Sequence, residues 1–395
     1  MNNFNLIIDF NNLLMRGIST PGTTFYNSTF EDENDLNDIV KKLTIDICYN
    51  IRLFSPSRVI ILCDSPNPWR KDILPTGEKG YKANRVKSDE RNWTKLWGKM
   101  NKFKEHLSNI GFIVSEIDRS EADDLAAMWK EKLFTLDSET ILFISSDKDW
   151  QQLVDYNNNQ FVGIFNPTVN NKGRKKIFFS DAAWNYISTE NNSLNNKVDA
   201  LFDSFGQSNK DNIKNALNSD KKIDIELINP FNVLINKIFE GDHGDNVPSF
   251  YEYYKTTKRG TNLARVTQSV IKKLCEELHI NNMEDLDGAK KYIVHSLEKI
   301  MKIDIPVDGE ERLNRQKILV ELNTKLFPNN IINKFNSEYT SLIDKIMPKN
   351  LSNIKWMDIL DNTEFFSKDQ YYKPKEDKVF TDLGGDFTKY FANLF

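Results

Sequence analysis

The chain has 395 residues, a net charge of −4 at neutral pH, 39% hydrophobic and 12% aromatic residues. That length exceeds one small core and predicts two or three structural units, and the apolar content excludes a wholly disordered chain. Cys48, Cys63 and Cys275 show no CxxC pairing and His106, His243, His279 and His295 no ligand spacing, which argues against a disulfide framework and a zinc site. Residues 1–10 carry an acid and lack the basic-then-apolar order of a signal peptide, and no apolar run approaches the roughly 18 residues of a membrane span. A soluble chain with no membrane partner, in a reducing cytoplasm, is the expectation.

In chain order, four short runs rich in branched apolar residues predict buried strands of a parallel sheet, at 4–9, 58–64, 110–118 and 140–147. Helical patterns lie at 33–54, 92–108 and 122–133. Strands alternating with helices predict an α/β fold with a mostly parallel sheet flanked by helices, over residues 1–185. Residues 186–228 are rich in Asn and Lys and read as a solvated insertion or a loose helical excursion. From 229 to 395 the patterns at 231–239, 263–278, 288–303 and 312–326 predict a mainly helical C-terminal domain. The aromatic end, 387–395, either packs on its own domain or docks on another protein.

Three of the predicted strands end in an acid: Asp9, Asp64 and Asp147. One such Asp is usually a turn residue or a helix cap. Three of them converge on the edge of an open sheet where ligands sit. Glu121, Asp123 and Asp124 follow in the first turn of a helix. Ser120 as N-cap with Asp123 in a capping box is the bland account. One acid suffices for that, and three that repel one another suggest a cation. Asp147 and Asp149 flank Lys148, so either a turn brings both inward or they mark an ordinary helix start. Asp242 and Asp245 lie in a Gly-containing loop after a helix, with His243 between them as a surface residue. Oxygen donors without Cys or His select Mg²⁺ or Mn²⁺. More carboxylates than one ion needs suggest two ions, the arrangement that cleaves phosphate esters.

Between about residues 66 and 105 bases outnumber acids and aromatics are interleaved: Trp69, Tyr81, Trp93, Trp97 and Phe103. This suits a phosphate-tracking arch with stacking platforms, with Arg70, Lys71, Lys79, Tyr81, Lys82, Arg85 and Lys87 as candidate contacts. The alternative is a solvated helix whose Trp residues pack inward. Lys82 and Arg85 can bring positive charge to a scissile phosphate.

IIDF around Asp9, the strand ending at Asp64, YKANR (81–85), EADD (121–124), SSDKDWQQL (145–153) and GDHGDNVPS (241–249) stand in that order. Together they resemble the flap-endonuclease family of 5′-nucleases, nearest its phage ribonuclease H and 5′-3′ exonuclease branch. The likeness covers roughly 1–250, and more loosely 313–335. It implies a PIN/FEN-like fold and a first ion group of Asp9, Asp64, Glu121 and Asp123, with Asp124 beside it. It implies a second group of Asp147, Asp149 and Asp242, with Asp245 near it or acting through water. Two Mg²⁺ ions, replaceable by Mn²⁺, are the implied cofactors. Lys82, Arg85 and Asp147 would act at the reacting phosphate.

The implied activity is 5′-3′ exonuclease and flap cleavage on DNA and RNA–DNA duplexes, in removal of RNA primers during replication, phage replication included. The implied partners are DNA with a 5′ flap or 5′ end, RNA–DNA hybrid, and a sliding clamp or single-strand-binding protein; a monomer and a DNA-binding C-terminal domain are expected. Lys148 replaces the Gly of many relatives and is a further candidate for phosphate contact. The Gly-rich hairpin that usually follows GDxxDN is replaced by residues 249–254, which bears on the potassium-linked duplex contact of relatives. The rival readings are a PIN-type single-strand ribonuclease, which would lack arch and GDxxDN loop, and a non-catalytic DNA-binding scaffold, which would be free to lose acids.

Overall fold

The computed structural model describes residues 4–74, 80–85, 90–188, 210–257, 260–348, 351–361 and 363–366. Eight strands, β1 (Phe4–Asp9), β2 (Arg58–Leu62), β3 (Ile113–Ser115), β4 (Thr140–Ile144), β5 (Asp155–Asn157), β6 (Gln160–Asn166), β7 (Lys175–Phe179) and β8 (Ile223–Leu227), form one sheet of order β3-β2-β1-β4-β6-β7-β8, with β5 on β6. From β3 to β6 all neighbours run parallel. β7 is antiparallel to β6 and parallel to β8.

The near-continuous apolar strands follow from burial on both faces. In β1, Leu6 and Ile8 enter one core and Ile7 the other, as the two-residue period of a strand requires. One face is covered by α1 (Phe10–Ser19), α2 (Glu33–Phe54), α3 (Trp93–Asn109), α5 (Asp181–Ser188) and α6 (210–219). The other is covered by α4 (Ala122–Lys130), which runs into a π-helical turn at Glu131–Leu136.

A third core, of Tyr81 and residues from Leu234 to Val320, holds α7 (Pro230–Glu240), α8 (Gln268–Leu278), α9 (Met283–Ala289), α10 (Ile293–Met301) and α11 (Gly309–Val320). Between α7 and α8 lies a hairpin of β9 (Glu252–Thr257) and β10 (Gly260–Arg265). The chain then returns to the sheet unit. α12 (Asn329–Ile343) sets Phe335 edge-on to Trp129 of α4 at 5.5 Å, and α13 (Trp356–Leu360) packs on α2.

The structure corrects the organisation expected beyond residue 150. β5, β6 and β7 were not foreseen, and residues 263–265 are strand instead of helix. The described part of 186–228 is not a separable insertion: Ile213 and Ala216 are buried in the main core and β8 extends the sheet past residue 185. Nor does 229–395 stand apart, since α12 and α13 cover the sheet unit. Residues 387–395 lie outside the described residues. Among the described residues no helix is long and apolar enough to cross a membrane.

Candidate metal centre and nucleic-acid interface

Strand order β2-β1-β4 sets the carboxyl ends of these three strands side by side, with the switch in connection direction at β1, where open α/β sheets bind ligands. Asp9 ends β1 and caps α1. Its Oδ1 accepts from the Asn12 amide at 3.0 Å and its Oδ2 from Ser145 Oγ at 2.8 Å. Asp64 follows β2 and accepts from the Ala122 amide, in the first turn of α4, at 2.7 Å. Asp123, on that turn, accepts from Trp150 Nε1 at 2.5 Å. Asp147 follows β4 and accepts from the Asp149 amide at 2.9 Å, the turn that brings both acids inward.

These acids lie in one another's field. Burial, with Asp64 and Asp147 adding, pushes Asp9 up to about 8. Burial and then Asp147 hold Asp123 well above the usual carboxylate range. Burial also raises Asp64 and Asp147, in Asp147 against the pull of Lys237 and Lys82. Asp64 is the exposed member of the four. Among the described residues Asp9, Asp64, Asp123 and Asp147 make no ion pair with a protein cation. Unpaired buried carboxylates are costly, and a divalent ion relieves that cost.

The remaining acids are paired. Burial opposes ionisation of Glu121, but Lys82 and Arg70 hold its carboxyl below the usual range. Lys82 pairs with Glu121 and, at 3.4 Å, with Asp245. Arg85 reaches Asp245 at 2.5 Å. Tyr81 Oη is 2.9 Å from Glu121 and 3.0 Å from Asp245. Backbone contacts staple the arch base onto the acid loop: the Lys82 amide donates to the Asp245 carbonyl at 2.8 Å and Asn246 Nδ2 to the Gly80 carbonyl at 2.7 Å. Lys237 of α7 pairs with both Asp149 and Asp242, and keeps Asp242 low against its burial. Gly241 makes the turn into this loop at φ +78°, where a Cβ would sit 2.5 Å from the Pro248 and Val247 carbonyl oxygens.

Several expected roles change. Asp124 is fully buried; Oδ1 takes a 2.6 Å bond from Arg70, while Oδ2 takes bonds from Trp69 Nε1 and the Glu121 amide, both at 3.0 Å. It anchors α4 and has no oxygen turned to an ion. The capping box pairs Glu121 with Asp124, one residue later than the Ser120–Asp123 expectation. Arg70, 2% exposed, is the counter-ion of Asp124 and not a surface phosphate contact. Trp69, Tyr81 and Phe103 are buried, and Trp93 and Trp97 pack on the core, so these aromatics are not stacking platforms. Lys71 is half-buried, Lys148 and His243 are exposed, and Lys79 and Lys87 lie outside the described residues.

Ser145, Asn12, Trp150 and Lys237 were missed. A Trp beside Asp149 and a Lys five residues before Asp242 have no sequence signal that an ordinary core or amphipathic helix lacks. As the side chains stand, no three acid, His or Cys groups among the described residues converge to hold an ion. Lys82, Arg85 and Lys237 hold Glu121, Asp245, Asp149 and Asp242 in ion pairs. The donor set, all oxygen with surplus buried negative charge, fits hard divalent cations.

The sequence profile of the 5′-3′ exonuclease N-terminal, resolvase-like domain matches residues 5–181. A 5′-3′ exonuclease of Mycoplasma genitalium is 28% identical over 189 residues, which cover 46% of this chain and 61% of that protein. Ribonuclease H of Enterobacteria phage T4 is 31% identical over 140 residues, 33% of this chain and 44% of that one. A T5 5′-exonuclease solved with zinc bound superposes with a TM-score of 0.49 at 19% identity, covering 86% of this chain and 100% of its own. The chain thus spans less than two thirds of the length of these curated relatives. Over residues 5–181 the chain is thus similar to the 5′-3′ exonuclease N-terminal, resolvase-like domain.

Proposed function

We propose that the chain is a divalent-metal-dependent 5′-nuclease that cleaves phosphodiesters in 5′-flapped or 5′-ended DNA and in RNA–DNA duplexes. The observation that carries this reading is the set of carboxylates without a cationic partner among the described residues, buried Asp9 after β1, Asp64 after β2, Asp123 on α4 and Asp147 after β4, beneath a cationic arch base. Asp9, Asp64 and Asp123, with Glu121, would hold one Mg²⁺, and Asp147, Asp149 and Asp242 a second; Mn²⁺ would substitute. Asp245 sits one step out, tied to Arg85 and Lys82. Bound ions supply a lowered pKa for the attacking water and stabilisation of the leaving oxygen.

The chain's own residues do the rest. Ser145, Asn12 and Trp150 fix the orientation of Asp9 and Asp123 before any ion arrives. Lys82 and Arg85 exchange Glu121 and Asp245 for phosphate oxygens of the 5′ strand, a swap between like charge partners. Lys148, exposed beside Asp147, meets the backbone at the rim. Primer removal in replication, a monomeric state, a cytoplasmic setting, and a clamp or single-strand-binding protein as partner belong to the same proposal, on family likeness.

The test is cleavage of a labelled 5′-flap duplex and a nicked RNA–DNA duplex by the full chain, with Mg²⁺ and then with EDTA. Mg²⁺-dependent 5′ fragments, abolished by EDTA, are expected. Intact substrates with binding retained would overturn the nuclease in favour of a scaffold. Preference for single-stranded RNA would favour the PIN-type ribonuclease.

A further inference from the structure

The two acid groups differ in how far they are already paired. In the first, Asp9, Asp64 and Asp123 make no ion pair with a protein cation among the described residues and Glu121 pairs with Lys82 and Arg70, whereas in the second Asp147 makes none and both Asp149 and Asp242 share the ammonium of Lys237. Lys237 lies in the last turn of α7, which leads through Gly241 straight into the loop carrying Asp242. Asp149 opens the short helix Asp149–Leu153 that packs against α7. All three side chains are mostly buried, at 16–18% exposure, so solvent screens the pair only weakly. A lysine is a point charge on a flexible four-carbon stem, able to withdraw without moving the helix that bears it. A divalent cation brings twice the charge and prefers these same oxygens.

We infer that Lys237 is a resident counter-ion of the Asp149–Asp242 pair, which a divalent cation must displace, so that this ion position is the weaker of the two. The inference rests on the reading of these acids as an ion centre. A site whose competent state is only fractionally populated has its apparent affinity reduced by that fraction. With Lys237 gone, the second position is open from the start, and the first is untouched.

The experiment is a Mn²⁺ titration of the full chain without nucleic acid, following free Mn²⁺ by electron paramagnetic resonance, for wild type, K237M and K237R. K237M is expected to tighten the weaker class about tenfold and leave the tighter class within about twofold, with K237R close to wild type. A weaker class unchanged or loosened in K237M, while wild type binds two ions, overturns the inference and spares the nuclease reading. No Mn²⁺ bound by any of the three overturns both. A second measurement needs no variant: amine acetylation of wild type, read by mass spectrometry, should label Lys237 several-fold faster with Mg²⁺ than with EDTA. Equal labelling overturns the displacement.

Discussion

The indole of Trp150 donates to Asp123 Oδ1 at 2.5 Å, from a ring that is itself fully buried and set edge-on to Phe143 at 5.0 Å. The acid is thereby held by a neutral donor, which orients it without neutralising it. W150F keeps most of the packing and leaves a buried acceptor unpaired. A loss of about 1–3 kcal/mol in denaturant unfolding is expected, together with weaker Mn²⁺ binding. Full stability with unchanged Mn²⁺ affinity would refute the role.

The pH dependence of the ion-free chain follows from Asp9. Its carboxyl rises from an ordinary 3.8 to about 8 on folding, so between those values the folded state binds the extra proton. The Asp9 contribution is then fully present at and below pH 4 and is lost as pH rises toward 8, by up to about 1.4 kcal/mol per unit. Asp123, Asp64 and Asp147 shift the same way and add to the slope. Thermal melts in EDTA should show this decline, D9N should flatten it, and Mg²⁺ should reverse it at pH 8. A D9N chain with the wild-type slope would remove Asp9 as its source.

Arg70 and Asp124 form a buried pair whose failure should be structural. Removing one partner of a buried pair strands the other charge, at about 3–5 kcal/mol. R70M is therefore expected to unfold at much lower denaturant, while folded R70M keeps the wild-type salt dependence of DNA binding. A lost phosphate contact with normal stability would restore the surface role expected from sequence.

Asp147 lies between the two acid groups, within the field of Asp123 on one side and Asp242 on the other. D147N should lower cleavage by several orders of magnitude with DNA binding largely intact, measured by single-turnover cleavage and by anisotropy. Unchanged turnover would sink the assignment.

Lys82 is expected to move between Glu121 and substrate phosphate. K82A should slow cleavage and reduce the salt slope of binding by about one counter-ion. Rate and slope both unchanged would separate the arch base from the substrate.

β1, α2 and the acids at the ends of β1, β2 and β4 were legible because each depends on neighbours close in the chain: a two-residue apolar period, a capped amphipathic helix, an acid after an apolar run. The six ordered motifs carried the likeness for the same reason. β5 to β8 were not legible, since short mixed strands at 155–179 and the Asn/Lys-rich run before Ile223 acquire their pairing only from the sheet already in place. The aromatic run at 69–103 had the composition of a binding surface, and only tertiary packing, of Trp69, of Tyr81 and of the α3 aromatics into three different cores, decided that it is core.

The sequence by itself determined which residues could hold ions and on which kind of scaffold. Tertiary structure alone decided how the charges are apportioned. Asp124 is spent on Arg70, Asp149 and Asp242 on Lys237, Glu121 and Asp245 on Lys82 and Arg85, and Asp9 and Asp123 on no cation among the described residues. The physical reason is that an acid's role depends on its desolvation and on the charges facing it. Apart from Lys237 beside Asp242, both are set by residues tens to hundreds of positions away, which a local reading does not bring into contact.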